Sequence, residues 1–315
     1  MNSRLQALLL AQGGVCTAGN ARSCEVEEAA LAAAIRQGRL VRVRRDAFVD
    51  GGLWAAADPE ERLVLRTKAI LLGRPEAVVS HQAALAVHQL PLWAVARDRV
   101  DLMVATSRVR SRSGVRLHPP LDVAPVTVRG CRVLPAATAA AQVALEAGVG
   151  AALVPLDAAL HLRRCTIEDV AEAFDRVATT PLRRRVAQQV LALADPACES
   201  PGETRTRMLL HDLGHSYESQ VDITDQDGRF LGRVDFVVRG RAVLEFDGAV
   251  KYEGHEGRAA LAAEKRREDA VRRRGYGVGR VVWADLDSPR RFAEVVQTAL
   301  ASSTRPGSPR RARKP

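Results

Sequence analysis

The chain has 315 residues, a formal net charge of +10 and a hydrophobic content of 47%, so it is long enough for two or three domains and too apolar to be wholly disordered. The positive charge, carried mostly by arginine, indicates a polyanionic partner such as nucleic acid, although solubility alone would also explain it. Because no apolar stretch has the length of a membrane span and the N-terminus lacks a signal-peptide pattern, we expect a cytoplasmic protein without a membrane anchor.

The first 52 residues predict a small domain of three short helices and a hairpin. Apolar spacing places the helices at residues 3 to 12, about 17 to 22, and 25 to 37. The alternating stretch LVRVRRDAFVDG, residues 40 to 51, then predicts two strands. Three helices followed by a two-stranded wing are the outline of a winged helix-turn-helix.

Arginines of the predicted hairpin are candidates for binding nucleic acid. Arg42, Arg44 and Arg45 have the guanidinium geometry that suits phosphate, and contacts of that kind position a protein without reading bases. The third helix begins with several glutamates, among them Glu27 and Glu28, so phosphate repulsion would oppose base reading there. A winged helix that contacts protein instead remains an open alternative.

The middle region, residues 53–196, predicts a second α/β domain without a recognisable catalytic pattern. Ser80 is a candidate cap for a helix, strand-like stretches follow, and alanine-rich helices end the region. His81 and His88 lie seven residues apart on one predicted helix, with no carboxylate partner in view. We therefore predict that these histidines cap and pack the helix and bind no metal.

Three stretches of the first 190 residues resemble the AbiEi family of antitoxin-like proteins. They are GGVCTAGNAR, AAIRQGRLVRVRRDAFV and VVSHQAALAVHQLPL. The resemblance implies a DNA-binding head with an attached α/β domain. It also implies a toxin as a possible partner protein.

The stretch LADPACESPGE, residues 193 to 203, predicts the boundary before a third domain at 197–301. The order strand, helix, strand within this domain implies a right-handed crossover and parallel pairing. Its predicted elements are a helix at 201 to 213, a strand at 217 to 224, a hairpin at 233 to 248, a long helix at about 258 to 274 and a strand at 277 to 286. Residues 302–315 are rich in Pro, Ser and Arg and predict a disordered basic tail.

The hairpin RVDFVVRGRAVLEFDG, residues 233 to 248, carries three carboxylates in a sequence that otherwise reads as buried. A three-residue connection with Gly240 at its centre would pair Val238 with Ala242 and place Asp235 opposite Glu245. Alternation then sorts the side chains by polarity. The apolar face would hold Val234, Phe236, Val238, Ala242, Leu244 and Phe246, and the other face Arg233, Asp235, Val237, Val243, Glu245 and Asp247.

Carboxylates that face one another on paired strands repel, so each needs a cation or a proton. Ligands that are all oxygen favour Mg²⁺ or Mn²⁺ over zinc. The alternative is that Asp235 and Glu245 form salt bridges with nearby arginines such as Arg233 and Arg241. No small-molecule cofactor is evident from the sequence.

Four stretches of residues 200 to 300 are similar, in order, to the PD-(D/E)xK nuclease superfamily and to its very-short-patch-repair branch. They are SPGETRTRMLLHDLG, GRVDFVV, VLEFDGAVKYEG and EKRREDAVRRRGYGVGRVVWADL. The resemblance implies a restriction-endonuclease-like α/β fold with a mixed central sheet, and magnesium-dependent hydrolysis of DNA phosphodiesters. At the matching positions it implies Glu203, Asp235 and Glu245 as metal ligands.

The chain departs from the superfamily pattern at Asp247, which stands where the pattern has a lysine. The resemblance implies Asp247 as a further ligand or as the residue that orients the attacking water, and Lys251 or Tyr252 as a contact of the scissile phosphate. The catalytic candidates are therefore Asp235, Glu245, Asp247 and Lys251.

Two further assignments concern the helices of this domain. Glu203 would alternatively close a capping box with Ser200. On the long helix, Arg267 and Arg272 are candidates for DNA contact, and a solvated face with local ion pairs is the alternative.

The sequence thus favours a DNA-binding, metal-dependent endonuclease in DNA repair or phage defence. One alternative is an antitoxin or transcriptional regulator that keeps the nuclease fold as an inactive scaffold. Another is an accessory protein that binds DNA ends without cutting them.

Overall fold

The computed structural model describes residues 3–248 and 255–306, with the backbone alone at 255–263. The chain divides into two compact units. The first unit is Met1–Ala159 with Arg163–Ala192, and the second is Leu193–Pro315 with Leu160–Leu162. The division lies at the start of the stretch in which the sequence predicts a boundary. Both units combine helices with mixed or antiparallel sheets, which confirms the predicted α/β class.

The first unit begins with the predicted three helices and hairpin. Its elements are α1 (Ser3–Ala11), β1 (Val15–Cys16), α2 (Ala18–Ser23), α3 (Glu28–Arg36), β2 (Leu40–Arg44) and β3 (Ala47–Asp50). Thr17 caps α2 in a reciprocal box with Asn20. Leu5, Leu9 and Phe48 lie in the core that joins the helices to the hairpin.

The hairpin of this subregion belongs to a three-stranded sheet of order β1-β3-β2. Val41 pairs with Val49 across the hairpin, and Val15 of β1 pairs with Val49 from the other side. The sequence did not predict β1, because a strand of two residues is too short for alternation to be visible.

A six-stranded mixed sheet with helices forms the rest of the first unit. Its strand order is β6-β7-β5-β4-β9-β8, with parallel pairing between β5 and β7 and between β4 and β9. The elements are α4 (Gly51–Ala56), α5 (Pro59–Leu71), β4 (Val78–Val79), α6 (His81–Val87), β5 (Val100–Met103), β6 (Arg110–Arg112), β7 (Val115–His118), β8 (Val126–Val128), β9 (Cys131–Val133), α7 (Ala136–Ala147), α8 (Val149–His161), α9 (Ile167–Val177) and α10 (Pro181–Leu193).

The second unit is built on a four-stranded mixed sheet of order β10-β11-β12-β13. The parallel pairing of β12 with β13 confirms the parallel pairing that the sequence predicts. The elements are α11 (Pro201–Asp212), β10 (Tyr217–Thr224), β11 (Phe230–Val238), β12 (Ala242–Phe246), α12 (His255–Arg273), β13 (Gly277–Val281), α13 (Trp283–Leu286) and α14 (Pro289–Ala301). No described helix of either unit is both long and apolar enough to cross a bilayer.

The last strand is shorter than predicted. The sequence predicts a strand through residue 286, but β13 ends at Val281 and Trp283–Leu286 form a helical turn. Asp285 Oδ2 accepts the Val282 N–H at 3.0 Å, and this local bond starts the turn.

The hairpin of the second unit has the predicted register. Val238 pairs with Ala242, and Phe236 pairs with Leu244. Arg239 and Gly240 both have positive φ, at 52° and 65°. Two residues of the connection are therefore in the left-handed region, and not Gly240 alone. Phe236, Val238, Ala242 and Leu244 lie in one apolar cluster with residues of α14, as the alternation predicts.

Val234 is the exception, and its predicted face is wrong. It packs with Ile223, Val237 and Val243 on the opposite cluster. The change of face coincides with an irregularity in the neighbouring strand β10, where Gln220 has a φ of 50°. Beyond that residue β10 reverses its faces, since Tyr217 packs on the first cluster whereas Val221 and Ile223 pack on the second.

Gly277 marks the closest approach between the sheet and α14. A Cβ atom there would lie 1.7 Å from the carbonyl oxygen of Ala299, so backbone would have to move. We expect Gly277→Ala to lower the free energy of unfolding by about 3 kcal/mol or more. Urea denaturation of the full chain measures this.

The control is Gly248→Ala, two residues after β12. Among the described residues, the nearest atom to a Cβ at Gly248 would be Phe246 Cε1 at 3.6 Å, which is an ordinary contact. The control should therefore unfold at nearly the wild-type urea concentration. Equal stability of the Gly277 variant would contradict the packing of β13 against α14.

Candidate functional site

Three acidic side chains from three elements of the second unit are gathered near the end of the hairpin. Glu203 lies in the first turn of α11, Asp235 in β11 and Glu245 in β12. The ladder of β11 with β12 ends at the pair Phe236–Leu244, one position before Asp235 and Glu245, and beyond it the Asp235 carboxylate accepts the Phe246 N–H. We call these three residues the acidic cluster.

Glu203 is fixed by hydrogen bonds to one of its two oxygens. Ser200 Oγ accepts the Glu203 N–H at 3.1 Å, which confirms Ser200 as the helix cap. The predicted capping box is not formed in full. Glu203 Oε2 accepts a hydrogen bond from the N–H of Glu199 at 2.9 Å, and not from the N–H of Ser200. The same oxygen accepts from Gln220 Nε2 at 2.9 Å.

Gly202 explains how the start of α11 comes so near to the strands. A Cβ atom at this position would lie 2.0 Å from Phe246 Cε1, so glycine is the residue that lets the helix rest on the Phe246 ring. Glu203 follows directly and is buried, with 7% of its surface exposed. The approach therefore places a nearly inaccessible carboxylate beside the end of β12.

Asp235 carries the electrostatic signature of the cluster. Its Oδ2 accepts the Phe246 N–H at 2.7 Å, a bond that favours the charged form. Burial nevertheless raises the pKa of Asp235 to about 6, and the neighbouring charges of Glu203, Glu245 and Glu199 add to the rise. The Asp235 carboxylate is therefore poorly compensated by the protein itself.

Glu245 has a guanidinium partner, but not one of the predicted pair. Arg267 Nη2 lies 2.9 Å from Glu245 Oε1, while Arg267 Nη1 donates to the Arg233 carbonyl at 3.0 Å. Arg233 itself pairs with Asp222 at 2.8 Å. Arg241 Nη2 donates to the carbonyls of Leu300 and Ser303 at 3.4 and 3.5 Å. The predicted alternative of a salt bridge with a nearby arginine is therefore confirmed for Glu245, but through Arg267 and not through Arg233 or Arg241.

The remaining catalytic candidates lie at the end of β12 and after it. The Asp247 N–H donates to the Val281 carbonyl at 2.8 Å, and Asp247 Oδ2 lies 3.9 Å from Arg280 Nη1. The Asp247 side chain is 43% exposed, so solvent reaches it. Lys251 and Tyr252 lie outside the described residues.

The donor chemistry of the acidic cluster fits a hard divalent cation. Within the described residues, Glu203 Oε1, Asp235 Oδ1 and Glu245 Oε2 have no hydrogen-bond or ion-pair partner, so each acid keeps one oxygen to offer. Their spacing is wider than in a preassembled site. Among the described residues, the triad whose ligand atoms all lie within 4.8 Å of one another is a different one.

The arginines predicted for DNA contact on α12 are both held by the protein. Arg267 joins Glu245 to β11 as described above. Arg272 lies 2.9 Å from Glu268 one helical turn earlier, and Arg280 of β13 also contacts Glu268 at 3.2 Å. The predicted alternative of local ion pairing accounts for this helix face.

The hairpin arginines of the first unit remain available to an anion. Arg42 lies over the Phe48 ring at 5.5 Å and is exposed. Burial, together with the guanidiniums of Arg74 and Arg112, lowers the pKa of Arg44. Within the described part of the chain, Arg44, Arg74 and Arg112 have no acidic partner. Sequence reasoning missed Arg74 and Arg112, because they are distant from the hairpin along the chain.

A second group of ionisable residues lies inside the first unit and was also missed. The rings of His81 and His118 stack at 4.2 Å, and His118 Nε2 lies 2.7 Å from Asp101 Oδ1. The prediction that His81 has no carboxylate partner is wrong, since its Nε2 lies 3.5 Å from Glu146 Oε2. His88 is buried with Nε2 2.8 Å from the Leu134 carbonyl, as expected of a packing residue.

Comparison with known proteins identifies relatives without an assigned activity. No protein-family model matches the chain. Two proteins of Mycobacterium tuberculosis, uncharacterized protein MT2308 of strain CDC 1551 / Oshkosh and uncharacterized protein Rv2248 of strain ATCC 25618 / H37Rv, are each 29% identical over 268 residues. The match covers 80% of this chain and 89% of each relative, so it includes parts of both units.

Proposed function

We propose that the second unit hydrolyses phosphodiester bonds of DNA with the help of Mg²⁺ or Mn²⁺. The observation that carries the proposal is the raised pKa of Asp235, about 6, in a cluster of acids that lacks enough positive charge of its own. Perturbed carboxylates of this kind concentrate at functional sites. The similarity of residues 200 to 300 to restriction-endonuclease-like nucleases supports the same reading.

Each residue of the acidic cluster has a defined part in this proposal. When bound, the cation would supply Lewis-acid polarisation of a phosphoryl oxygen and a more acidic water. Glu203, Asp235 and Glu245 would hold the cation through one carboxylate oxygen each. These are Glu203 Oε1, Asp235 Oδ1 and Glu245 Oε2, which take no part in the contacts described above. The Phe246 N–H fixes the orientation of Asp235, and Gln220 fixes that of Glu203.

Two residues beyond the cluster complete the proposed chemistry. Asp247 is partly exposed beside β13, where its carboxylate can accept a hydrogen bond from the attacking water and hold it in position. Lys251 would contact the scissile phosphate. Because residue 247 is an aspartate and not a lysine, this position supplies no ammonium group to neutralise the charge of the phosphate.

The first unit would deliver DNA to this chemistry. Its order of helices and strands, with a hairpin at residues 40–50, agrees with a winged helix-turn-helix. Arg42, Arg44 and Arg45 on the hairpin, extended by the guanidiniums around Arg44, suit the phosphate backbone. Repair or phage defence in the cytoplasm would use such a combination.

Metal binding tests the proposal directly. Calorimetric titration of the full chain with Mn²⁺ should give binding that Asp235→Asn weakens at least about 10-fold. Asp212→Asn, at the exposed end of α11, removes an equal charge away from the cluster and should bind like wild type. Equal Mn²⁺ affinity in all three proteins would overturn the proposed site.

A regulator or AbiEi-type antitoxin that binds DNA without cutting it is the second candidate. The observation in its favour is the Arg267 guanidinium on Glu245, which offsets one acid in a cluster already wider than a preassembled metal site. In this case a toxin would be the partner protein. The nuclease-like unit would then act as a scaffold.

The hairpin arginines give a prediction that holds under both candidates. Arg42→Ala and Arg45→Ala should each weaken DNA binding similarly for all sequences and lower the slope of log K against log salt by about one. Fluorescence anisotropy with a labelled duplex at several salt concentrations measures the slope. Arg290→Ala, at an 89% exposed site on α14, serves as the control and should leave the slope unchanged.

A further inference from the structure

Three buried residues of metal-ligating types lie together in the first unit. They are distant along the chain from the acidic cluster. His81 begins α6, Asp101 lies in β5 and His118 ends β7. We call these residues the His–Asp–His cluster. All three are buried, with exposures of 7%, 0% and 8%.

The fold brings these residues together through strand pairing. The β5 and β7 strands are parallel, with Asp101 opposite Arg116 and Met103 opposite His118. The β4 strand pairs with β5 and leads directly into α6, which sets His81 above the same strands. The ligand atoms of the three side chains all lie within 4.8 Å of one another.

Neighbouring groups orient the ligand atoms as they do around bound metals. His81 Nδ1 lies 3.0 Å from Ser80 Oγ, and its Nε2 lies 3.5 Å from Glu146 Oε2. Asp101 Oδ2 accepts from Gln82 Nε2 at 2.8 Å and from Arg99 Nε at 3.1 Å, which leaves Oδ1 toward His118. Hydrogen bonds to the far side of each ligand are the usual support of metal-binding histidines and carboxylates.

The backbone and the space around His81 point the same way. His81 has a φ of 52°, which costs a side-chain-bearing residue about 1–3 kcal/mol and is held by its surroundings. Its N–H donates to Gln142 Oε1 at 3.1 Å. A cavity of about 180 Å³, lined in part by His81, Gln82, Arg99 and Glu146, adjoins the ring.

Charge balance limits how tightly a cation would bind. Arg99 contacts Glu146 at 2.7 Å, and Arg116 contacts the same carboxylate, so two guanidiniums already offset the carboxylates of Glu146 and Asp101. A dication would add uncompensated charge in a buried place. We therefore expect weaker binding than in closed four-ligand zinc sites.

We propose that the His–Asp–His cluster is a binding site for a first-row divalent transition metal of the Zn²⁺, Co²⁺ or Ni²⁺ type. Two imidazole nitrogens and one carboxylate oxygen favour such ions over Mg²⁺. Glu146, with Oε2 3.5 Å from His81 Nε2, is the nearest further donor. The bound ion would cross-link α6 to β5 and β7.

Titration of the full chain with Zn²⁺ tests the site independently of the nuclease proposal. Calorimetry should give binding that His118→Gln weakens at least about 10-fold. His88→Gln, which removes a buried histidine just after the same helix, is the matched control and should bind like wild type. Asp235→Asn with Glu245→Gln should leave unchanged the Zn²⁺ binding that His118→Gln weakens, because it alters the acidic cluster alone.

Two outcomes would overturn the metal site. Zn²⁺ affinity of His118→Gln equal to that of wild type would mean that the ion binds elsewhere. If His118→Gln does not fold, nuclear magnetic resonance of the histidine rings of the wild-type protein tests the site instead. Zn²⁺ should then shift the ring signals of two buried histidines, and unchanged signals would mean that the cluster is a hydrogen-bonded network only.

Discussion

Asp235→Asn should lower Mn²⁺-dependent DNA cleavage by at least about 100-fold while the chain stays folded. The substitution removes the charge that the cation needs but keeps an oxygen for the Phe246 N–H, which Asp235 Oδ2 now accepts at 2.7 Å. Because the amide is nearly the same size as the carboxylate, the packing of β11 on β12 should not change. The loss would therefore report on charge and not on folding.

Cleavage of a supercoiled plasmid in Mn²⁺ measures this effect. Asp212→Asn, purified by the same procedure, is the control and should cut at the wild-type rate. Identical cutting by wild type and Asp235→Asn would mean that the acidic cluster is not the source of the activity. Absence of cutting in wild type, together with wild-type DNA binding, would favour the regulator.

The same substitution should stabilise the metal-free protein at pH 8. Folding raises the pKa of Asp235 from 3.8 to about 6, so the protonated acid favours the folded state. This contribution is fully present below about pH 4 and is lost as the pH rises through 6. At 1.36 kcal/mol per pKa unit, the loss at pH 8 is at most about 3 kcal/mol.

Urea denaturation in the presence of a chelator at pH 5 and pH 8 measures the difference. Asparagine does not titrate, so the variant should lack the part of the pH dependence that comes from Asp235. The gain in stability should be larger at pH 8 than at pH 5. An identical pH dependence of wild type and variant would contradict the raised pKa and, with it, the main support for a cation at this site.

The hairpin of the second unit shows how much alternation alone can predict. The apolar residues of 233–246 allow one register that keeps them together, and the observed pairs Phe236 with Leu244 and Val238 with Ala242 are those of that register. Residues Asp235 and Glu245 could therefore be named as neighbours. The distance between their carboxylates could not, because it depends on rotamers and on Arg267.

The face of Val234 could not be predicted from the same pattern. Its change of face coincides with the reversal of β10 at Gln220, whose φ of 50° is uncommon for a glutamine. Nothing in the residue type marks that conformation. Gln220 also holds Glu203 through its side-chain amide, so the reversal and the acidic cluster share a residue.

The His–Asp–His cluster lacked a sequence signal altogether. His81, Asp101 and His118 are separated by 20 and 17 positions, and no helix or strand contains two of them. Their contact depends on the parallel pairing of β5 with β7, which is a long-range property. Local spacing detects ligands only on one element, so the sequence could compare His81 with His88 but could not bring His81 together with Asp101 and His118.

The parallel neighbour of β12 has a consequence for synthesis of the chain. Residues 247–276 must be made between β12 and β13, which at ribosomal speed takes a few seconds. Over that interval the nascent hairpin lacks the Phe292 and Val296 that later cover Phe236 and Leu244. The growing polypeptide therefore exposes the apolar face of this hairpin until α14 emerges. Exposed apolar surface of this kind is what chaperones bind.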